Sequence, residues 1–271
     1  NNADPTPGWG VLEDRESKQY GLPRYGLAEN KAIQGHYKLW DAILDYCAKH
    51  GKCTYIDSCA SGGGRNDLES MRRGIPFLRS DADRATISLR LSMTTSFCKW
   101  IPFHGSSSEE KLPNEILLPG RGKGSDTFVN RASFLPIRHM TSAYTQNKDF
   151  DFAQERKNLQ EWRSIHHLLT KDFYVLTKWH HPLDTYGWTV IAYDDPGNGE
   201  SLLLAFRQEN CETAEFTAKL PFTEDKIRYE LRNEDTGETI VKEGAELRKK
   251  GIVIRLEHPR SSAMFRIHIQ H

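Results

Sequence analysis

The hydrophobic period of this chain changes once, near residue 172. That change restricts it to an α/β region followed by an all-β region. Before the change, helical faces alternate with short apolar runs. Ile33, Tyr37, Trp40, Leu44 and Cys47 recur at spacings of four, three, four and three, one face of an amphipathic helix. Lys49 and His50 suit its last turn, and Gly51 is a natural stop. Residues 53–59 (CTYIDSC) read as a buried strand, 67–73 as a short helix ended by Gly74, and 75–80 (IPFLRS) as the next strand. A helix is expected from Ala85 to about Ser96, a strand over 98–103 (CKWIPF) ending at His104, and a strand over 131–138 (RASFLPIR). Phe152, Leu159, Trp162, Ile165 and Leu169 mark a long amphipathic helix.

Alternation of this kind implies a parallel sheet covered by helices. About four strands make half of an eight-stranded barrel, so the expected fold over residues 1–175 is the C-terminal half of a (β/α)8 TIM barrel. After Asp172 the runs become strand-like and are separated by turn signals such as DPGNGE and NEDTGE. Ile252, Ile254 and Leu256 alternate with Val253, Arg255 and Glu257, and Ala263, Phe265, Ile267 and Ile269 alternate with Met264, Arg266, His268 and Gln270. Period-two burial with one wet face predicts an antiparallel β-sandwich over residues 176–271, with no helix in it.

Residues 1 to about 28 carry Pro5, Pro7, Gly8, Gly10, Gly21, Pro23 and Gly26 and are expected to form a loop. Trp9, Tyr20 and Tyr25 within it either face a ligand or pack on the barrel rim. The start, NNADPTPGWG, lacks the basic and apolar regions of a signal peptide, and with no initiator Met the chain reads as a processed product or fragment. Lys+Arg and Asp+Glu balance at 37 each, so no net charge draws the chain to nucleic acid or to an anionic membrane. No apolar run is long enough to span a bilayer. Five cysteines without CxxC spacing argue against a disulfide framework or zinc site and favour reduced thiols, as in the cytoplasm.

Chemistry concentrates between Ile56 and Asp81. Asp81 is expected at a strand end, where a carboxyl can act as a general acid if a second carboxylate or apolar walls keep it protonated. The competing reading is that it caps the following helix. The cluster Ser61, Gly62, Gly63, Gly64 and Arg65 permits close approach of backbone to a ligand, or is simply a tight strand-to-helix turn. It is a poor phosphate loop, because no Lys-Ser/Thr comes after it and GxGxxG is not met. Cys59 would need a His to be a nucleophile, and His104 is the candidate by strand-end position, though no protease-type signature surrounds the thiol. The adjacent pairs His166–His167 and His180–His181 lack metal-site spacing, so no metal and no cofactor is expected.

The segments IDSCASGGGRNDLESMRR (56–73) and FLRSD (77–81) resemble the retaining α-galactosidases of glycoside hydrolase family 36. In that family a Cys-x-Ser-Gly-Gly-Gly-Arg-x-Asp block comes after one barrel strand, and a Ser-Asp pair ends the next. WIPFHG (100–105) is similar to the following strand end of one branch. Residues 159–177, 202–210, 229–233 and 251–262 resemble the last barrel helix and the C-terminal sandwich, so the likeness covers nearly the whole chain. The resemblance implies that Asp81 is the general acid/base of a double displacement on terminal α-D-galactosyl residues. It implies that Cys59, Ser61, Gly62 and Gly63 line the galactose subsite, with Arg65, Asp67, Trp9 and His104 as further substrate contacts.

Leu78 stands where the family more often has Trp. The family's nucleophile is an Asp in a tetrapeptide like Arg-x-Asp-Phe-Asn, and NNADPTPGW is similar to the stretch immediately C-terminal to that motif. The chain is therefore expected to begin just after it, to lack the nucleophile and to be inactive by itself. Asp4 is a poor substitute, lying before Pro5 in a loop. Related alternatives are an α-N-acetylgalactosaminidase, a galactosyl transglycosylase and a non-catalytic galactose-binding module. The expected partner is an α-galactoside, with no nucleic acid and no membrane. The resemblance allows a homo-oligomer, for which no interface is legible in the sequence.

Overall fold

The computed structural model describes residues 6–52, 55–58, 64, 66–101, 103–108, 126–139 and 150–270. The chain divides into two compact units, Asn1–Pro76 and Phe77–His271. The boundary expected at 175/176 falls inside the second.

In the first unit, α1 (Thr6–Tyr20) and α2 (Leu27–Lys49) are joined by a short turn. The loop expected over residues 1–28 is thus corrected to a helix over most of its described length. Pro7 lies in the first turn, where its missing N–H would have had no helical partner, and the residues from Val11 onward are ordinary helix formers. Glu13 of α1 accepts from the Ala28 amide at 3.1 Å, giving one of the orphan donors of α2 a partner that its N-cap glycine lacks. The expected face of α2 is largely confirmed: Trp40 and Cys47 are buried and Tyr37 and Leu44 half-buried, while Ile33 is exposed. Gly51 ends the helix at φ 58°, a left-handed conformation that glycine adopts without strain. Cys47 is disulfide-bonded, which corrects the expectation of reduced thiols at that residue. Cys98 and Cys211 are free and buried. Strands β1 (Ile56–Asp57) and β2 (Gly74–Ile75) pair in parallel around α3 (Leu68–Met71).

The second unit is built on a six-stranded antiparallel sheet of order β10-β9-β12-β7-β6-β5. Its strands are β5 (Asp172–Val175), β6 (Trp188–Asp195), β7 (Glu200–Arg207), β9 (Arg228–Asn233), β10 (Thr239–Glu243) and β12 (Ser261–Gln270). A two-stranded sheet of β8 (Glu215–Ala218) and β11 (Ile252–Arg255) and a helix over Gly244–Lys249 complete this region. That helix corrects the expectation that none would occur there.

The expected wet face holds for β11, whose burial alternates residue by residue, but not for the centre of the large sheet. Val190, Ala192, Leu203, Ala205, Phe265 and Ile267 face a core shared with Leu220, Leu247, Ile252 and Ile254. Ile191, Tyr193, Leu202, Leu204, Phe206 and Met264 face a second core on the opposite side. That second core is filled by Ile87 and Leu91 of α4 (Ile87–Phe97), Phe128 and Val129 of α5 (Thr127–Arg131), Ile165 of α6 (Phe152–Ile165), and Leu168 and Leu169. Each such side chain contributes about 1.5–3 kcal/mol on burial, so the unbroken Leu202–Leu204 run is explained by a sheet covered on both faces.

The helices are locked to the sheet region by a buried arginine. Arg131 of α5 donates to Glu161 of α6 at 2.7 Å and to Asp235, in the β9–β10 turn, at 2.6 Å. Among the described residues of this unit, parallel strand pairing is limited to β3 (Gly105–Ser107) with β4 (Ile137–His139). The described residues therefore contain two separate parallel pairs, β1–β2 and β3–β4, rather than a continuous half barrel. The strand expected over 98–103 is corrected to the end of α4 and a turn, and that expected over 131–138 to the end of α5, a connection and β4.

Candidate functional site

Three chain segments run side by side in the second unit and in the same direction. The Arg79 amide donates to the Gly105 carbonyl at 3.2 Å, and the Ser107 amide donates to an Asp83 carboxylate oxygen at 2.9 Å. β3 then pairs with β4, placing Ser107 opposite His139, and the Ser108 amide reaches the His139 carbonyl at 3.0 Å. Close approach is possible because Gly105 has no side chain. A Cβ there would lie 1.7 Å from the Phe77 carbonyl oxygen and 2.9 Å from that of Ile137. The C-terminal ends of these segments carry Asp81, Ser107 and His139.

Asp81 does not end a regular strand as expected. It opens a 3-10 turn, Asp81–Arg84, capped by Ser80, whose hydroxyl accepts from the Ala82 amide at 3.2 Å. Capping thus falls to Ser80 and leaves the Asp81 side chain 65% exposed, its one ion pair among the described residues a loose 3.8 Å approach from Arg84. Such an exposed pair contributes little to stability.

Arg79, Ser80 and Asp83 around it are as buried as Asp81 is exposed. Arg79 donates to one Asp83 carboxylate oxygen from Nε at 2.9 Å and from Nη2 at 2.8 Å. The other oxygen accepts from the Ser106 hydroxyl and the Ser107 amide. Arg90 of α4 grips the Asp83 backbone carbonyl at 2.7 and 3.0 Å. Burial alone would push the Asp83 pKa up, but the two guanidinium groups and the Ser106 hydroxyl outweigh it and hold the carboxyl below its usual range. This cluster was not foreseen. The only local signal was Arg79 and Asp83 placed four apart around the Ser-Asp pair.

His104 lies before β3 rather than at a strand end, and it is fully buried. Its Nε2 lies 3.3 Å from the Cys98 sulfur and its ring meets Phe97 edge-on. The thiol beside it is thus Cys98, not Cys59. The spacing is that of a thiol–imidazole dyad, yet the electrostatics oppose activation. Burial pushes the Cys98 thiol up to about 12 and, reinforced by the Arg79 charge, pulls His104 down to about 3. Both groups stay neutral, a packing pair rather than a nucleophile and base.

Burial of this imidazole makes stability depend on pH. The unfolded imidazole takes a proton below about 6.5 while the folded one does not until about 3, so stability present above that window is lost as pH falls through it. The slope from this residue is at most about 1.4 kcal/mol per pH unit. In urea titrations between neutral pH and the acid range, His104→Phe is expected to flatten the decline by that amount. An unchanged slope would show that the folded site accepts the proton.

Of the other expected site residues, Asp67 caps α3. Its carboxylate accepts from the Ser70 amide at 2.9 Å and hydroxyl at 2.7 Å. Burial raises its pKa, but these bonds prevail and lower it overall. Trp9 is half-buried on α1. Cys59, Ser61, Gly62, Gly63 and Arg65 lie outside the described residues. His139, at the end of β4, was missed because the strand was expected to stop at Arg138. Pro136, immediately before the first paired residue, was the available signal. The paired histidines do separate structural jobs: His167 bonds Glu200 at 2.9 Å, and His180 bonds Thr189 at 3.1 Å. Among the described residues no group of His, Cys, Asp and Glu could hold a metal ion, and no helix is long and apolar enough to cross a membrane.

No family model matches the chain, and no curated protein matches it. Among solved structures it is similar to the GH36 alpha-galactosidase AgaB from Geobacillus stearothermophilus, with a TM-score of 0.57 and 17% identity. The match covers 78% of this chain and 28% of that one, so the chain spans little more than a quarter of that enzyme's length. At this identity the likeness concerns the fold.

Proposed function

We propose that this chain is part of a retaining glycoside hydrolase acting on terminal α-D-galactosyl residues, with Asp81 as its general acid/base. One observation carries the reading. Asp81 belongs to a sequence block resembling that of retaining α-galactosidases, and its side chain is exposed beside the buried Arg79, Ser80 and Asp83. The fold shared with a GH36 alpha-galactosidase supports it. In this reading Asp81 protonates the glycosidic oxygen as the bond to the leaving group breaks, then takes a proton from the water that attacks the glycosyl-enzyme. A second carboxylate about 5–5.5 Å away serves as nucleophile. Cys59, Ser61, Gly62 and Gly63 line the galactose subsite, with Arg65 and Asp67 from the same block.

The test is proton NMR of aryl α-D-galactoside hydrolysis by the protein that carries this chain. The expected first product is α-galactose, which mutarotates afterwards. β-Galactose as the first product would overturn retention. Turnover of aryl α-N-acetylgalactosaminides in preference to galactosides would overturn the substrate, and no turnover of either would overturn the enzyme reading.

A further inference from the structure

Asp81 opens a turn and lies between Arg79 and Asp83, which close on each other, and that construction assigns work to Asp83. We propose that Asp83 is the positioning residue for Asp81, fixing the turn that presents the acid/base carboxyl to the glycosidic oxygen. The inference rests on the proposed role of Asp81 as acid/base.

Four residues donate six hydrogen bonds to Asp83. Arg79, two residues before Asp81, and Asp83, two residues after it, close on each other through two bonds of 2.8 and 2.9 Å. Arg79 also donates to the Arg90 carbonyl at 2.9 Å, while Arg90 holds the Asp83 carbonyl. The second carboxylate oxygen reaches across to Ser106 and Ser107 and ties the turn to the next strand. Arg79, Asp83, Arg90, Ser106 and Ser107 are all buried. The backbone at Asp81 is consequently fixed in position relative to β3, leaving the side chain only its own two torsions. A helix cap alone would need none of this, since Ser80 already supplies it.

Loss of this anchoring shifts the carboxyl without removing it. A displacement of about 1 Å costs on the order of 100-fold in a positioned reaction. In the first step, read as kcat/KM, the loss falls on substrates that depend on protonation of the leaving group and spares those that do not. A purely structural role for Asp83 would lower stability and affect all substrates alike.

The experiment compares the protein carrying this chain with its Asp83→Asn and Ser106→Ala variants on aryl α-galactosides of good and poor leaving-group ability. Thermal unfolding is recorded alongside. For Asp83→Asn, kcat/KM on poor leaving groups is expected to fall about 10- to 100-fold and on good ones less than about threefold, while kcat and KM on good ones fall together as the glycosyl-enzyme accumulates. Ser106→Ala removes one of the bonds to Asp83 and keeps the charge pair. It is expected to fold and to show the same bias at smaller size. Equal losses for both substrate types in Asp83→Asn, or in Ser106→Ala should the first variant not fold, would overturn the proposal. The unmodified protein and Asp81→Ala distinguish this failure from failure of the underlying reading. If Asp81→Ala itself shows no leaving-group bias, Asp81 is not the acid/base.

Discussion

Asp81→Ala, made in the protein that carries this chain, is expected to split substrates by leaving group. General acid assistance contributes on the order of 100- to 10,000-fold, and it matters only where the departing oxygen needs a proton. Alkyl and sugar aglycones should therefore lose most of that factor. Aryl groups that leave readily as anions should form the glycosyl-enzyme at close to the normal rate. Without the carboxylate, water then attacks slowly, so the intermediate accumulates and KM falls. Azide needs no deprotonation to attack, so it should restore turnover and yield a galactosyl azide of retained configuration. Steady-state rates across a series of aryl galactosides, with and without azide, check this. Uniform losses without azide rescue would remove Asp81 from the mechanism. The turn geometry predicts that the variant folds, because the Asp81 side chain is largely exposed and, among the described residues, makes only the loose approach to Arg84.

Gly105→Ala should have the largest effect on folding. The added Cβ would sit 1.7 Å from the Phe77 carbonyl oxygen, 2.8 Å from its carbon and 2.9 Å from the Ile137 carbonyl oxygen. All three are backbone atoms, so no side-chain rotation relieves the clash. The segment beside β3 must move, and with it the Arg79–Gly105 hydrogen bond and the turn bearing Asp81. Destabilisation of about 4 kcal/mol or more is expected, in the range reserved for severe packing errors. In a unit of this size each kcal/mol shifts Tm by roughly 2–4 °C, so the midpoint should fall by about 10 °C or more. Gly187→Ala, in the same unit and with nothing within 4 Å, is the control and should be close to neutral. A Tm for Gly105→Ala matching that control would show that the strands are not packed as described.

Much of this architecture was legible because it is written in local period. The buried face of α2, the long helix α6 and the strands β6, β7 and β12 arise from spacings within each segment. Elements whose local signals conflict were misread. α1 looks like a loop when Pro7, Gly8 and Gly10 are counted and like a helix once Pro7 is placed in the first turn. The segment after α4 looks like a strand from its apolar residues, yet Trp100 is 84% exposed and pairing begins only at Gly105. β10 and the helix after it carry too few apolar residues for their period to stand out.

The sequence alone determined the change from mixed α/β to antiparallel β near residue 172, and it marked Asp81 through its Ser-Asp pair and the block before it. Tertiary structure decided what surrounds that carboxylate. Asp83 meets Ser106 and Ser107 across 23 and 24 residues, and Arg90 reaches back from α4. His104 is buried with Cys98. The same structure decided that the large sheet has no wet face at its centre, because helices far away in the chain cover it. Period is a property of neighbouring residues and survives in any window of sequence. The partners of a buried charge are set by strand register and by the path of the chain, which no local window contains.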